Sequence, residues 1–422
     1  MDRDDESPSD LTRLVGQLWG SETGDVVVRT GSVVPDGYQL VERYSAIPNA
    51  AKAQVLVPAG RPRLARRALL LYNGLRIPRT RIARRVLAEG IGLGVVGRAG
   101  RDQVLVCARI GGTGRHGNEA LLLEWLRQQL AVPSLAMSPG VPSAAPNSKP
   151  TALLLDDGGA PRGYLKLGWN TATRRMVRNE AQVLETAAGR LPSIDTPALL
   201  HQSDWQGRRL LVTAPLPGGR PVKQPSSRLP PLHLSIEVAS LSSLHQADLG
   251  ASRYWADVQD RVANVAPTVE AVGLLQPVTA LVAAIDRYSA ATPLTFGAWH
   301  GDWVPWNMAW FGGRLTVWDW EHSSDAVPLG FDALHYVFQV AFIYRRAALA
   351  DAIRTVDSRA ASLLGGLGVI EASLVTSLYV LEQVLRNAES ARDGGGWNQR
   401  FLDAAAPVVA ARTGQTLLSA GR

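Results

Sequence analysis

Four polar side chains between residues 300 and 319 recur at a spacing that could do chemistry: His300, Asp302 and Asn307, in the order H-x-D-x4-N, and then Asp319. The intervening MAWF, Gly312-Gly313 and RLTVWDW read as two short strands about a two-residue turn. The glycine pair supplies the positive φ that such turns require. A ribbon folded in this way returns Asp319 towards Asp302 and Asn307. Carboxylate and amide oxygens at short range suit a hard cation, and Mg²⁺ takes one or two protein ligands beside phosphate oxygens and water. Asn307 and Asp319 are the candidate ligands, while Asp302 can take a proton from an attacking hydroxyl. Positioning, a metal and a residue that orients the nucleophile are the parts of phosphoryl transfer. The competing account makes the Asp and Asn residues turn caps and the surrounding tryptophans core. It suits the tryptophans, but it leaves three acceptors buried without partners, which is costly.

A second set lies upstream. Lys166 sits in the strand-like RGYLKLG, and a helix follows with Asn170 or Thr171 as its cap. The apolar positions of that helix are Met176, Val177, Val183, Leu184 and Ala187, and Glu180 falls on the same face, three and four residues after Val177 and Met176. A glutamate facing a core needs a cation, and Lys166 on the adjoining strand is the economical partner. An ammonium held by a helix glutamate and aimed at the α- and β-phosphates is a kinase arrangement. The plainer alternative is a surface lysine and a snorkelling glutamate.

These residues need a scaffold, and the chain can build one. Its 422 residues, 46% hydrophobic with a mean hydropathy of -0.01, bury a substantial core and suffice for two or three lobes. No long apolar run and no basic-then-apolar leader occurs, since the chain opens MDRDDESPSD, so a cytoplasmic location is expected. The single cysteine, Cys107, excludes an internal disulfide and reads as a small buried side chain. Charge is uneven: eleven arginines face one acid, Glu89, between Arg61 and Arg101, whereas the whole chain is only +7. The basic character thus belongs to one segment. Lysine is scarce, with Lys52, Lys149, Lys166 and Lys223 the only four.

The expected organisation is α+β. Residues 1–24 read as a disordered or loosely packed N-terminus, 25–115 as a basic accessory α/β region, 116–216 as a β-rich lobe with one helix, and 217–422 as a helical lobe. Strands are expected at DVVVRT, YQLVERY, AQVLVPA, GLGVVGR and DQVLVCARI, with a basic helical stretch near 61–89. Further strands fall at SLAMS, PTALLLDD and RGYLKLG, the last two joined as a hairpin, and at 208–214. Helical periodicity runs through 231–248, 252–290, 331–350, 368–392 and 398–413. The G-x-G-x-x-G match at 92–97 follows a helix rather than a strand, so it reads as a strand with tight turns and not a nucleotide site.

The run W-H-G-D-W-V-P-W-N, followed by V-W-D-W-E, resembles the catalytic and metal loops of the aminoglycoside phosphotransferase and choline kinase-like family. The resemblance covers about 130–400 and is also carried by Lys166 with Glu180, LLVTAPLPG (210–218), LSSLH (241–245) and PLGFD (328–332). It implies the bilobal protein-kinase-like fold and the use of ATP and Mg²⁺. By that similarity Asp302 would be the base, Asn307 and Asp319 the metal ligands and Lys166 the phosphate-binding lysine. The backbone around Thr213, Ala214 and Leu216 would contact adenine. His300 would support the loop, Asp332 would hold it by hydrogen bonds, and Glu321 would approach the metal or the substrate. The chain departs from the family at 138–150, SPGVPSAAPNSKP, which lacks a glycine-rich phosphate loop. Asn147, Ser148 and Lys149 could contact phosphate there, and a plain loop is the alternative.

The leading expectation is an ATP- and Mg²⁺-dependent kinase acting on a hydroxyl of a small molecule: an aminoglycoside, an amino alcohol or a sugar. Acidic residues of the helical lobe that could face a cationic acceptor are Glu321, Asp325, Glu371, Glu382, Glu389 and Asp393. The rival is a catalytically silent scaffold that uses Arg61–Arg101 to bind an anionic membrane, nucleic acid or acidic protein.

Overall fold

The computed structural model of the chain describes residues 9–20, 24–71, 78–92, 102–110, 121–142, 147–216 and 229–420. The chain divides into two compact units, Met1–Trp169 with Ala198–Arg220, and Asn170–Pro197 with Pro221–Arg422.

The first unit is built on one nine-stranded sheet. Its order is Val26–Thr30, Gln103–Arg109, Tyr38–Ile47, Val55–Pro58, Ala136–Gly140, Thr151–Leu155, Pro161–Gly168, Arg208–Thr213 and Leu199–Trp205. Every neighbouring pair is antiparallel. The period-two alternation of these strands buries both faces. Leu56, Ala152, Leu154, Leu165 and Leu167 join one apolar cluster. Val55, Val57, Leu153 and Leu155 join another, against Ala65, Ala68 and Leu69 of helix Pro62–Leu71 and Ala88 and Ile91 of helix Pro78–Gly92.

Two expectations are corrected here. The segments 25–115 and 116–216, expected to be separate, share this sheet. Val55 pairs with Gly140, Val141 N donates to Gln54 O at 3.0 Å, and Ser138 Oγ donates to Leu56 O at 2.6 Å. The physical reason is an edge: Ala136–Gly140 would otherwise present unpaired backbone groups beside a buried face. The N-terminus, expected to be loose, contains helix Asp10–Trp19, started by Ser9 Oγ accepting from Thr12 N at 3.2 Å. Leu11, Leu14, Leu18 and Trp19 recur on one helical face and are buried in the first apolar cluster.

Of the arginines between 61 and 101, Arg66 makes two 2.9 Å bonds to Glu89 and Arg61 pairs with Asp157. Arg76, Arg98 and Arg101, the G-x-G-x-x-G residues after Gly92 and the Gly-rich 111–117 lie outside the described residues. Cys107 is fully buried in strand Gln103–Arg109, and burial raises its thiol pKa.

The second unit begins with helix Thr171–Ala187. Its start is a capping box: Asn170 Oδ1 accepts from Thr173 N at 2.8 Å, and Thr173 Oγ1 accepts from Asn170 N at 3.0 Å. Two small sheets follow. Met308–Phe311, Arg314–Val317 and Ile194–Asp195 form one, and His245–Asp248, Pro293–Trp299 and Ser324–Pro328 form the other. The helical expectation over 231–248 therefore holds only for Leu232–Ala239, and the strands at 293–299 and 324–328 and the helix Leu349–Gly365 are additions. The remaining helices are Arg253–Glu270, Leu275–Ser289, Phe331–Gln339, Ala372–Arg392 and Gln399–Ala420, packed about one large core that includes Trp255, Phe296, Phe331 and Tyr379. Among the described residues no helix is long and apolar enough to cross a membrane.

If the N-terminal helix is part of the folded first unit, Leu14→Ala should cost about 2–5 kcal/mol, the usual loss for a fully buried leucine. Urea denaturation reads this directly, and an unchanged midpoint would mean that the helix is not packed.

Candidate active site

The ribbon predicted from Gly312-Gly313 is present. Met308–Phe311 pairs with Arg314–Val317 across the two glycines, whose φ values are +55° and +87°. The ladder continues one step past Met308 and Val317, because Trp318 N donates to Asn307 O at 3.0 Å. Asp319 is the next residue, so hairpin register brings it beside Asn307. Its own φ is +64°, a left-handed conformation uncommon for a non-glycine residue. Trp303 and Trp320 are fully buried and belong to the core, whereas Trp306 is exposed.

Strand Pro293–Trp299 delivers His300, Gly301 and Asp302 into a sharp loop. Its backbone is held from two sides. Asp332, on helix Phe331–Gln339, accepts from His300 N at 2.8 Å and from Gly301 N at 3.1 Å. Arg386, on helix Ala372–Arg392, donates from Nη1 to Gly301 O at 2.7 Å and lies over the Trp299 ring at 5.2 Å. Gly301 has φ +78°, and a Cβ there would stand 2.0 Å from His322 O, so only glycine fits.

Three buried ionisable groups surround this loop and are tuned differently. His300 Nδ1 accepts from Asp302 N at 3.1 Å and Nε2 donates to Trp318 O at 3.2 Å, which requires the neutral Nε2–H tautomer. Burial lowers its pKa to about 4, although the charges of Asp302 and Asp319 pull the other way. Burial raises the Asp332 carboxyl to about 7, against the two backbone N–H bonds. Burial would raise Asp302 as well, but the hydrogen bond from His335, with the charge of Arg386, holds it well below the usual carboxylate range.

Asp302 is gripped at both oxygens. Asn307 Nδ2 donates to Oδ2 at 2.7 Å and to the Asp302 carbonyl at 3.2 Å, and His335 Nε2 lies 3.3 Å from Oδ1. A quarter of the Asp302 side chain is nevertheless exposed, so a small molecule can reach it.

The donor set fits a hard cation. With Nδ2 committed to Asp302, the Asn307 amide presents its oxygen away from that carboxylate, and Asp319 adds a second oxygen donor at the same end of the ribbon. Among the described residues there is no cluster of three or more His, Cys, Asp or Glu of the kind a metal held mainly by protein requires. Two oxygen ligands completed by phosphate and water are the pattern for Mg²⁺.

The other sequence-derived residues fall as follows. Glu180 is 2% exposed on helix Thr171–Ala187 of the second unit. Its neighbour Asn179 donates from Nδ2 to Glu321 O at 3.0 Å and to Ser323 O at 2.8 Å, tying that helix to the chain just beyond Asp319. The Glu321 side chain lies 3.5 Å from His322 Nε2. Lys166 belongs to the first unit, on Pro161–Gly168, opposite Leu211 and on the sheet face that Leu165 and Leu167 leave. Thr213 ends the neighbouring strand and is buried. Ala214 N already donates to Ala198 O at 2.7 Å, which leaves the Ala214 carbonyl and Leu216 for any ligand contact. Asn147 is exposed and Lys149 half-buried in the stretch before Thr151–Leu155, and 143–146 lie outside the described residues.

A cavity of about 490 Å³ in the second unit is lined in part by Trp299, Glu321, Asp325, Arg261, Glu382 and Arg386. It gathers four of the six acidic residues considered for a cationic acceptor, Glu389 being the fourth. Arg261 engages two of them, with bonds of 2.7 and 3.0 Å to Glu382 and 2.7 and 3.1 Å to Glu389. Asp393 instead pairs with Arg175 and Arg392.

Sequence reasoning did not single out His335, Tyr379, Arg386 or Asn179. A signal existed for two of these residues. His335 lies three residues after Asp332, and so on the same helical face, while Arg386 lies four residues after Glu382.

Residues 147–352 match the family model described as "Phosphotransferase enzyme family". None of the curated proteins matches. Among solved structures, the gentamicin–APH(2")-IIa complex is 14% identical, covering 70% of this chain and 94% of that one at a TM-score of 0.42. A protein described as a fructosamine-3-kinase, from Haemophilus somnus 129PT, is 13% identical, covering 70% and 96% at 0.41. A thermostable mutant of aminoglycoside phosphotransferase APH(4)-Ia with ADP and hygromycin B is 14% identical, covering 71% and 98% at 0.43.

The depressed His300 value fixes the sign of a pH effect. Between about pH 4 and 6.5 the unfolded chain binds a proton at this residue and the folded chain does not. The stability that His300 contributes is complete above about 6.5 and is lost as pH falls through 4. Asp332, raised from 3.8 to about 7, acts in the opposite sense: its contribution is present at low pH and lost as pH rises through 7. The stability difference between the native protein and His300→Gln should therefore grow from about pH 4 to 6.5 and stay level above. Urea titrations at stepped pH read this difference, and one independent of pH would contradict the buried neutral imidazole.

Proposed function

We propose, from the match of residues 147–352 to the phosphotransferase enzyme family model, that the chain transfers the γ-phosphoryl group of ATP to a hydroxyl of a small molecule. The observation that carries this reading is the Asp302 carboxylate. It is ionised, gripped at each oxygen by a different side chain, and still a quarter exposed.

Asp302 accepts a hydrogen bond from the acceptor hydroxyl and aims its oxygen at the γ-phosphorus. As the new O–P bond forms, the bond from that phosphorus to the β,γ-bridging oxygen breaks and ADP leaves with its electron pair. The hydroxyl proton passes to Asp302 and then to solvent. In this reading Asp302 orients the nucleophile first and takes the proton late, which suits a loose transition state in which the hydroxyl becomes acidic only after attack. Asn307 and Asp319 would hold Mg²⁺, whose charge, when bound, neutralises the phosphate oxygens.

Lys166 is proposed for the α- and β-phosphates, with Glu180 as its partner. Thr213, Ala214 and Leu216 would contact adenine, the Ala214 contribution coming from its carbonyl because its N–H is taken. Asn147 and Lys149 would cover the phosphates. His300 and Asp332 hold the loop, and Glu321 faces the acceptor side of the second unit. The aminoglycoside and fructosamine names among similar proteins suggest amino sugars as first acceptors to try. The engagement of Glu382 and Glu389 by Arg261 argues against a site that selects for positive charge alone.

The test is turnover of Mg-ATP with a panel of gentamicin, hygromycin B, a fructosamine, choline and simple sugars. Asp302→Asn should lower kcat by on the order of 10²- to 10⁴-fold with little change in KM for ATP, and EDTA should abolish turnover. Lys166→Met should act mainly on KM for ATP. Full activity in Asp302→Asn would remove the base assignment.

A further inference from the structure

Asp302 is also held from outside its own loop. His335, on helix Phe331–Gln339, faces Asp302 Oδ1 with Nε2 at 3.3 Å, and its Nδ1 lies 3.0 Å from the hydroxyl of Tyr379 on helix Ala372–Arg392. The imidazole is 1% exposed and Tyr379 fully buried, so bulk water does not compete for either bond. Burial lowers the His335 pKa and favours a neutral ring, which has one N–H and one lone pair. An ionised carboxylate only accepts, so Nε2 carries the hydrogen. Nδ1 then presents its lone pair and needs a donor, which the Tyr379 O–H supplies. The direction of the chain is thereby fixed: Tyr379 donates to His335, and His335 donates to Asp302.

We infer that His335 is a positioning residue for phosphoryl transfer, its tautomer fixed by Asp302 and its remaining ring nitrogen satisfied by Tyr379. The inference rests on the role proposed for Asp302. The division of the two carboxylate oxygens supports it. With the imidazole N–H on Oδ1 and Asn307 on Oδ2, the carboxylate is held against rotation, while each oxygen keeps a second lone pair for an acceptor hydroxyl. Asn307 alone would not hold it, since its bond secures only Oδ2 and leaves Oδ1 to His335. A support that does not contact the metal keeps the base aligned whatever Asn307 does. The plain alternative is a histidine that merely fills the core between Trp299 and Tyr379, whose rings lie 6.1 Å away on either side.

Two measurements separate these accounts without a known acceptor. In ¹⁵N-labelled protein, the His335 ring should be in the Nε2–H tautomer, and Tyr379→Phe should shift the Nδ1 resonance by removing its donor without changing the tautomer. In Mg-ATP hydrolysis with water as acceptor, His335→Leu should lower kcat by up to about 100-fold, the scale of a misplaced catalytic group, with KM for ATP unchanged within about twofold. His335→Gln, which keeps an N–H donor, should recover most of the loss, and this guards against a mere folding defect. In an Asp302→Asn background His335→Leu should cost nothing further, because the two groups act as one unit. An Nδ1–H tautomer, native kcat in His335→Leu, or an equal loss in both backgrounds would overturn the inference while leaving the base assignment in place. Native kcat in Asp302→Asn alone would remove both.

Discussion

The site depends on one buried carboxylate that does no chemistry. Asp332 takes both backbone N–H groups of His300 and Gly301, donors that neither helix nor sheet satisfies in this loop. Leaving them unpaired in the interior would cost about 1–3 kcal/mol each, so the loop and the start of helix Phe331–Gln339 are linked. Arg386 satisfies the Gly301 carbonyl from the other side, which completes the polar groups of that residue. The left-handed Gly301 and its close approach to His322 O make the turn rigid. Asp302 projects from this clamp, and its direction follows from the clamp rather than from its own conformational preference.

Three ionisable groups within this cluster reach three different protonation outcomes. His300 is neutral because both ring nitrogens are used by backbone groups that specify one tautomer. Asp332 is partnered only by backbone dipoles and feels the Asp302 charge, so desolvation prevails and its pKa rises. Asp302 has side-chain donors, nearby positive charge and some solvent, so its charge is retained. The arrangement separates the carboxylate that holds the loop from the one proposed as base, by partner type rather than by residue type.

The sequence made the local devices legible. Gly312-Gly313 marked the ribbon, Asn170 marked the helix start, and the alternating Leu and Val residues marked the sheet strands, because each depends on residues a few positions apart. What was missed depends on distant partners. Nothing near Val55 or Gly140 announces that they pair and join the accessory region to the strands that follow it. The acidic opening hid helix Asp10–Trp19, whose apolar face is evident only against the cluster that buries it. His335 and Tyr379 are 44 residues apart on different helices, and each alone reads as an ordinary core residue.

The acceptor side shows why counting acids from sequence misleads. Six carboxylates of the helical half were available in principle to recognise a cation, and four line one cavity. Two of those are bridged by Arg261, with Glu382 only 6% exposed and Arg261 itself three-quarters covered. Removing one member of such a group would strand a buried charge, so these residues are better understood as structure than as free recognition groups. Arg386 enters the same cavity while supporting the catalytic loop. Its guanidinium couples the wall that an acceptor would meet to the turn from which Asp302 projects. An acceptor that displaced Arg386 would loosen the Gly301 carbonyl, whereas one that left it on Trp299 would find Asp302 already aligned. Under the proposed function, selectivity would be constrained by what the loop needs to remain in place, with charge matching at the rim acting within that constraint.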